Sequence, residues 1–371
     1  MKVLILSCNT GQGHNTAGRA VMEELVRRGA ECEMRDALAF SSKLTSRVVS
    51  GAYVRMATDA PKVFGTIYRA GEAISNPHLK SPVYAANMTY TRKLGRYIRE
   101  NQFDAVITSH VFPAQALTHL SRHEHIDAKT YFISTDYTCH PFTEEIEPDR
   151  YFIGHSDLIG EYVSRGVPRG KLCPTGIPVS MRFAEHASKE EAREKLGISA
   201  DAKVVLIMTG SMGFGVTAPV VDTILKDGGS RYLVYVMTGR NEEMKREIDA
   251  IHARDARAVA VPFTTEVPLY MSAADVLMTK PGGLTTTEAA ALRIPLVLSA
   301  PIPGCETANA AFFEEKGMAV CVQDMEASAH AALWLAADAE KNSRMTEAQA
   351  RTVNARAAAD IADIVMRDGM E

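Results

Sequence analysis

Several side chains that could do acid–base or binding chemistry follow directly after apolar runs of the sequence. His14 ends the stretch KVLILSCNTGQGH, in which Gly11 and Gly13 flank one glutamine. A histidine at this point could act as a general base, because imidazole changes its protonation state near neutral pH. The alternative is a histidine that only hydrogen-bonds within the loop.

The loop before His14 fits a dinucleotide fingerprint poorly. That fingerprint requires G-x-G-x-x-G, but the third glycine here is Gly18, five positions after Gly13. What remains is a helix N-terminus, whose free N–H groups and positive dipole end disfavour an imidazolium. We therefore expect a neutral histidine that is competent as a base.

A second group of polar residues follows a strand-like run in the stretch TKPGGLTTTEAAALR. Gly282 and Gly283 end the run, and Thr285–Thr287 are predicted to cap the next helix and to offer hydroxyls to a phosphate. Glu288 is predicted in the first turn of that helix, where its carboxylate could accept two ribose hydroxyls. The alternative for Glu288 is an ordinary capping acid.

Two further loops of the second half are predicted to reach the same end of the sheet. The glycine-rich stretch TGSMGFG, residues 209–215, follows a strand and permits close approach of an anion, although it could be a simple turn. A Pro-Gly loop after residue 300 brings Glu306 and Asn309 to the same edge, where a solvated loop acid is the alternative for Glu306. Three loops that bring polar groups to strand ends of one unit favour a binding site.

His110 and Asp136 lie at the predicted ends of two strands in the first half. Asp136 could orient the His14 ring or the hydroxyl of an acceptor, although an N-cap or turn residue is a serious alternative. His110 and His140 are weaker candidates. The sequence contains no D-x-D flanked by a strand, so neither a metal site nor another cofactor is expected.

The elements that must position these residues alternate between strand-like and helix-like patterns. This alternation predicts an α/β fold with two doubly wound parallel sheets, whose ligands bind beyond the carboxyl ends of the strands. The break between the two is predicted near residue 178, before the polar run SKEEAREK. The predicted elements include strands at 3–8, 31–35, 203–210 and 232–240, strands that end at His110 and Asp136, and helices at 16–29, 113–123 and 241–253.

The composition predicts a soluble globular protein with two domains. Of 371 residues, 46% are apolar and 23% charged, and no apolar run approaches the about 18–20 residues that span a bilayer. Lys2 is followed at once by a strand-like run, so no signal peptide is expected. Six scattered cysteines without metal-type spacing favour reduced thiols in a cytoplasm.

One segment is strongly basic although the chain carries a formal net charge of −4. Residues 41–99 contain ten Lys or Arg and two acids, which predicts attraction to a polyanion. We expect this helical segment to dock on an anionic lipid surface, and the alternative is a solvated helical cap. Nucleic acid is not expected as a partner, since no recognisable binding module is present. The residues expected at the lipid are Lys62, Phe64, Tyr68 and Arg69.

Taken in order, these motifs resemble one family along nearly the whole chain. They are GQGHNTA, SHVFPAQA, STDYTCH, TGIPV, MTGSMGFG, TGRNEE and KPGGLTTTEAAALRIPLVLSAPIPGCETANA. The chain resembles the processive diacylglycerol glycosyltransferases and the monogalactosyldiacylglycerol synthases of plants, which are similar to the lipid-intermediate N-acetylglucosaminyltransferase of murein synthesis. The last block is specific, whereas GxGH alone is not.

The resemblance implies a GT-B fold, in which two Rossmann-like domains face a cleft. It implies an acceptor- and membrane-binding domain at 1–178, a UDP-sugar-binding domain at 179–345, and a final segment, 346–371, that returns to the first domain. It also implies an inverting transfer of a hexose from a UDP-hexose to a lipid, expected to be diacylglycerol, by a peripheral enzyme on the cytoplasmic membrane face.

The resemblance further assigns roles to single residues. His14 corresponds to the catalytic base and Asp136 to the aspartate of a strand-end motif. Apart from the resemblance, His110 is predicted on the acceptor side. The donor contacts correspond to Gly210, Ser211, Met212, Gly213, Arg240, Phe263, Gly282, Gly283, Thr285, Glu288, Glu306 and Asn309.

The chain departs from the family pattern at the sugar-facing loop. Cys305 stands where the family usually has glutamine, and a thiol cannot make the paired hydrogen bonds of an amide, so the identity of the hexose stays open. An aromatic residue often found after the aspartate motif is also absent. Two other functions stay open: a UDP-sugar epimerase of the same fold, and a non-catalytic nucleotide-sugar sensor.

Overall fold

The protein is described by a computed structural model that covers residues 1–8, 12–41, 80–124, 126–209 and 217–369. The chain divides into two compact units. The first consists of Met1–Met181, Ile302–Cys305 and Asn354–Glu371, and the second of Arg182–Pro301 and Glu306–Val353. The last stretch of the first unit therefore begins at Asn354, after the predicted start of the returning segment at residue 346.

The described part of the first unit contains a six-stranded parallel sheet in the order β2-β1-β3-β4-β5-β6. β1 lies inside the sheet and is buried on both faces, as expected of a continuous apolar run. The strands are β1 (Lys2–Ser7), β2 (Glu31–Asp36), β3 (Ala105–Thr108), β4 (Lys129–Ile133), β5 (Arg150–Phe152) and β6 (Leu172–Cys173).

Helices cover both faces of this sheet. Val3 and Ile5 of β1 pack in one apolar cluster and Leu4 and Leu6 in another, because successive side chains of a strand point to opposite faces. The α-helices are Gln12–Arg27, Pro82–Asn87, Thr91–Glu100, Val111–His123, Ile159–Ser164 and Ala357–Asp368, and the 3-10 helices are Ala37–Phe40, Met88–Tyr90, Thr143–Glu145, Ser156–Leu158 and Arg169–Lys171.

The described part of the second unit repeats this plan with a parallel sheet in the order β12-β11-β10-β7-β8-β9. Its strands are β7 (Lys203–Met208), β8 (Tyr232–Gly239), β9 (Ala258–Pro262), β10 (Val276–Thr279), β11 (Leu296–Ser299) and β12 (Val320–Val322). Its α-helices are Lys189–Leu196, Thr217–Asp227, Glu242–His252, Val267–Ala273, Gly283–Ala291, Cys305–Glu315, Met325–Ala337 and Ala339–Thr352, and the 3-10 helix Met181–Phe183 lies at the junction. The predicted α/β class with two parallel sheets is confirmed.

The last helix, Ala357–Asp368, belongs to the core of the first unit. Its Ala358, Ile361 and Val365 are fully buried and pack in the same cluster as Val3 and Ile5 of β1. Small alanines allow this helix to approach the sheet closely, which accounts for the Ala-rich composition of its first turn.

Several element boundaries differ from the predicted ones. β3 ends at Thr108 and β4 at Ile133, so His110 and Asp136 lie in the loops beyond the strands rather than at their ends. The first helix begins at Gln12, not at residue 16, and His14 therefore lies in its first turn. Polar residues after a strand do not show where the ladder of hydrogen bonds stops, because tertiary contacts set that point.

Candidate active site

His14 projects from the first turn of the helix Gln12–Arg27, at the carboxyl end of β1. Its Nδ1 lies 2.7 Å from the carbonyl oxygen of Ser109, and the Ser109 hydroxyl donates to the carbonyl of His14 at 2.9 Å. A carbonyl oxygen can only accept, so Nδ1 carries the proton. In the neutral ring, Nε2 is consequently left with a lone pair, which is the state that a general base requires.

The half-buried position of His14 tunes its charge. Burial is the largest influence and lowers the pKa of the imidazole below its ordinary value. The charge of Asp136 and the hydrogen bond to Ser109 raise the pKa, whereas His140 lowers it. The net shift is downward, and it favours the neutral ring at physiological pH.

His110 lies beside His14, but its Nδ1 is occupied by a hydrogen bond to the backbone. Its Nδ1 accepts a hydrogen bond from the amide of Phe112 at 3.1 Å and so caps the helix Val111–His123. The rings of His14 and His110 meet edge to face, with centroids 4.6 Å apart. Burial and then the neighbouring His14 lower the pKa of His110 well below its ordinary value, so this ring is neutral.

Asp136 is buried in the loop after β4, where its carboxylate pairs with a second histidine. Asp136 Oδ2 lies 2.8 Å from Nε2 of His140, four residues later. Asp136 acts on His14 through its charge, while Ser109 and Thr135 lie within hydrogen-bonding distance of the His14 ring. The residues that the sequence places at separate strand ends, His14, His110 and Asp136, are thus brought together at one edge of the sheet.

The orienting role of Ser109 is the part of this site that sequence reasoning missed. The contact uses a backbone carbonyl, which every residue possesses, so no residue type at position 109 signals it. Only the pairing of β1 with β3 reveals it, because that pairing brings the loop after β3 next to the loop after β1.

In the second unit, the double glycine follows β10 and starts the helix Gly283–Ala291. Gly282 is the N-cap and supplies no side chain, so the N-cap makes no side-chain hydrogen bond to the first amides of the helix. The predicted capping by threonines is wrong. The hydroxyls of Thr286 and Thr287 donate back to the carbonyls of Gly282 and Gly283, and Thr285 is half-exposed.

Glu288 is the sixth residue of this helix, so its predicted place in the first turn is also wrong. Its side chain is buried, and burial raises the pKa of its carboxyl to about 8. Among the residues that the structure describes, none donates a hydrogen bond to this carboxyl. A buried polar group is stabilised by a hydrogen-bond partner, and the contact of Glu288 with ribose hydroxyls stays a prediction.

Lys280, Glu306 and Asn309 surround the same glycines. The ammonium of Lys280 lies 3.4 Å from a carboxylate oxygen of Glu306, and both side chains are largely buried. Asn309 is fully buried, and its amide donates to the carbonyl of Pro281 at 2.9 Å. Asn309 thus holds the backbone of the glycine loop, and its predicted contact with the sugar stays a prediction.

Arg240 and Phe263 form a pair beyond the ends of β8 and β9. The Arg240 guanidinium lies over the Phe263 ring, 4.8 Å from its centroid, and the ring is 63% exposed. The amide of Phe263 donates to the carbonyl of Gly239 at 2.8 Å, which ties the two loops together. An exposed flat ring at the carboxyl edge of a parallel sheet offers a stacking surface for a base.

Some predicted site residues lie outside the described part of the chain. They are Lys62, Phe64, Tyr68 and Arg69 of the basic segment and Gly210, Ser211, Met212 and Gly213 of the glycine-rich turn. Within the described ranges, no three His, Cys, Asp or Glu side chains group as metal ligands, and no helix is long and apolar enough to cross a bilayer.

Comparison with known families assigns both halves of the chain. Residues 14–179 match the monogalactosyldiacylglycerol synthase family, and residues 204–365 match the glycosyltransferase family 28 C-terminal domain. Together with the curated relatives, these two matches show that the chain is a glycosyltransferase. The resemblance seen in the sequence motifs is therefore confirmed, and His14 stands at the first position of the matched synthase region.

Curated relatives of this glycosyltransferase extend over nearly its full length. The processive diacylglycerol beta-glucosyltransferase of Bacillus cytotoxicus is 27% identical over 370 residues, which cover 99% of this chain and 94% of the relative. The Bacillus subtilis enzyme of that name is 26% identical over 347 residues, with coverages of 93% and 89%.

Solved structures confirm the GT-B architecture of two Rossmann-like units. MurG of Acinetobacter baumannii superposes with a TM-score of 0.65 at 15% identity and covers 99% of both chains. MnaA of Staphylococcus aureus, solved with UDP, gives a TM-score of 0.64 at 13% identity, with coverages of 98% and 95%. At these identities the likeness concerns the fold alone.

Proposed function

We propose that this glycosyltransferase moves a hexose from a UDP-hexose to a diacylglycerol-type lipid with inversion at the anomeric carbon. The observation that carries the proposal is the His14 ring, whose Nδ1 is held by the Ser109 carbonyl so that Nε2 keeps its lone pair. The curated relatives, which are named as diacylglycerol glucosyltransferases, support the lipid acceptor.

The chemical step needs one base and one leaving group. His14 Nε2 takes the proton of the lipid hydroxyl as its oxygen attacks the anomeric carbon, and the bond from that carbon to the UDP oxygen breaks. The proton ends on His14 and the electron pair on the diphosphate. A single displacement of this kind converts an α-linked UDP-hexose into a β-glycoside.

The second unit supplies the groups suited to a nucleotide diphosphate. The uncapped N-terminus of the helix Gly283–Ala291 attracts a phosphate, and the ammonium of Lys280 adds positive charge for the leaving diphosphate. Glu288 accepts the ribose hydroxyls, and the Phe263 ring stacks on the uracil. Glu306 faces the sugar in this proposal.

The acceptor lipid lies in a membrane, so the enzyme needs a surface that binds one. The described part of the basic segment offers such a surface. Arg92, Lys93, Arg96 and Arg99 are all exposed on the helix Thr91–Glu100. Basic side chains near an anionic leaflet each contribute about 1 kcal/mol to binding. We place the enzyme at the cytoplasmic membrane face as a peripheral protein, with no metal or other cofactor.

The test is a reconstituted reaction with UDP-glucose or UDP-galactose and diacylglycerol in anionic liposomes. We expect a β-linked glycolipid, identified by mass spectrometry and by the anomeric proton coupling in NMR. His14→Ala should lower turnover by about a hundredfold or more and leave UDP binding unchanged. The matched control is His123→Ala, which removes an exposed histidine of the same unit.

Retained turnover in His14→Ala would contradict the assignment of the base. An altered UDP-sugar formed without lipid would indicate an epimerase instead, and saturable UDP binding without any turnover would indicate a sensor. These outcomes are separated by running every reaction with and without lipid and by measuring UDP affinity calorimetrically.

A further inference from the structure

The hydroxyl of Thr135 lies between the His14 ring and the Asp136 carboxylate in the first-unit site. Its Oγ1 is 3.3 Å from Nδ1 of His14 and 3.4 Å from Oδ2 of Asp136. The same Asp136 oxygen lies 2.8 Å from Nε2 of His140. A continuous line of polar atoms therefore runs from His14 through Thr135 and Asp136 to His140.

The donors and acceptors along this line follow from chemistry. Nδ1 of His14 carries the proton that the Ser109 carbonyl requires, so Thr135 Oγ1 can only accept from it. The hydroxyl proton of Thr135 is then directed to the carboxylate of Asp136, which accepts from His140 as well. One assignment of donors and acceptors therefore satisfies every hydrogen bond along this line.

We propose that Thr135 is a positioning residue that couples the His14 base to the Asp136–His140 pair through its hydroxyl. The hydroxyl stabilises the imidazolium that forms when His14 takes up a proton. Its hydrogen bond to the Asp136 carboxylate polarises the hydroxyl oxygen, which makes that oxygen a better acceptor for His14 Nδ1. Thr135 is buried, with 4% of its surface exposed, so bulk water does not substitute for it freely.

The groups that act on His14 from the neighbouring loops have opposing effects. Asp136, after β4, favours the imidazolium and His140 opposes it, while the adjacent ring of His110 is neutral. Thr135 is the bonded link to the favourable member of this set. The role in transfer rests on the proposed function, but the coupling is a property of the unliganded protein and can be measured without substrates.

The first experiment is an NMR titration of the full chain with isotope-labelled histidine, with the His14 signal assigned through His14→Asn. Thr135→Val keeps the shape of the side chain and removes the hydroxyl, so the pKa of His14 should fall by about one pH unit. Thr135→Ser restores the hydroxyl and should return the pKa to the wild-type value.

Thr118→Val is the matched control, since Thr118 is also buried and, in the described part of the chain, its hydroxyl bonds backbone groups of the same unit. It should leave the His14 titration unmoved. An unchanged His14 pKa in Thr135→Val, or a shift that Thr135→Ser fails to reverse, would overturn the proposal.

The second experiment is the pH profile of kcat/KM for the lipid transfer. In Thr135→Val the plateau should fall roughly tenfold, and the acidic limb should move to lower pH, because a weaker base stays neutral further into acid. A lower plateau with an unmoved acidic limb would show a merely structural role and would overturn the coupling. If the protein lacks transferase activity, the NMR titration still decides the proposal.

Discussion

At the scale of single residues, burial keeps the two most informative ionisable groups neutral. It lowers the pKa of His14 and raises that of Glu288, because an apolar surrounding disfavours either charge. A neutral imidazole is what proton removal requires. A neutral buried carboxyl can both donate to and accept from the hydroxyls of a ligand.

Glu288 makes the stability of the protein depend on pH. The pKa is about 8 when folded and about 4.3 when unfolded, so between these values the folded state binds a proton that the unfolded state lacks. Stability should therefore fall as pH rises through this window. Glu288→Gln should remove this loss of folding stability. The urea midpoint of the variant should therefore exceed that of the wild type by an amount that grows from about pH 5 to about pH 8.5.

The control for this prediction is Glu243→Gln, which changes an exposed glutamate at the start of the helix Glu242–His252. The difference between its urea midpoint and that of the wild type should be nearly the same at both pH values. A constant offset for Glu288→Gln would show that its carboxyl is ionised in the folded protein throughout.

At the scale of elements, the helix Thr91–Glu100 combines an apolar face with a basic one. Leu94 and Ile98 are buried against the sheet of the first unit, while Arg92, Lys93 and Arg96 are exposed. The apolar face anchors the helix, so its charges are held on a fixed surface. Such an arrangement suits an anionic membrane better than a flexible basic tail does.

The membrane prediction is tested by neutralising three charges on that helix. Arg92→Gln, Lys93→Gln and Arg96→Gln together should weaken binding to anionic liposomes on the order of a hundredfold at low salt. Cosedimentation at increasing anionic lipid content gives the measurement. UDP affinity should not change, because none of the three residues lies at the proposed donor site.

The control triple removes the same charge from the second unit at Lys195, Arg246 and Arg351, all of which are exposed. Equal weakening in the two triples would mean that overall charge, rather than this helix, drives liposome binding. That result would remove the described helix from the proposed membrane surface.

At the scale of the whole molecule, the chain completes its first unit with its last helix. Arg150 of β5 donates to both carboxylate oxygens of Asp368, at 2.5 and 2.9 Å, and Tyr131 adds a contact at 3.4 Å. The Arg150 guanidinium holds the pKa of Asp368 below its ordinary value. The first unit is thus built from segments more than 200 residues apart in sequence.

Asp368→Asn should destabilise the first unit by about 1–3 kcal/mol, because it removes one partner of a largely buried pair. Hydrogen exchange should quicken in β1–β6 and stay unchanged in β7–β12. The difference from wild type should shrink as the pH falls through the lowered pKa of Asp368, where the wild-type carboxyl is also neutral.

Asp363→Asn serves as the control on the same helix. Its partner is Arg28 at 2.8 Å, but 61% of the Asp363 side chain is exposed, so the pair contributes little. If the two variants destabilised the first unit equally, the buried pair at Asp368 would not be what secures the final helix.

The sequence by itself determined the fold class and indicated the candidate site residues. Alternating apolar and amphipathic runs encode strands and helices locally, and glycines after strands mark helix starts, so the sequence singles out His14, Asp136 and the Gly282–Gly283 loop as candidates. The tertiary structure alone decided the partners. Ser109 meets His14 through a backbone carbonyl, and Thr135 links His14 to Asp136, because adjacent strands bring distant loops together. Tertiary structure also decided the charge of Glu288. Burial keeps its carboxyl neutral, and that burial depends on packing that no local sequence pattern records.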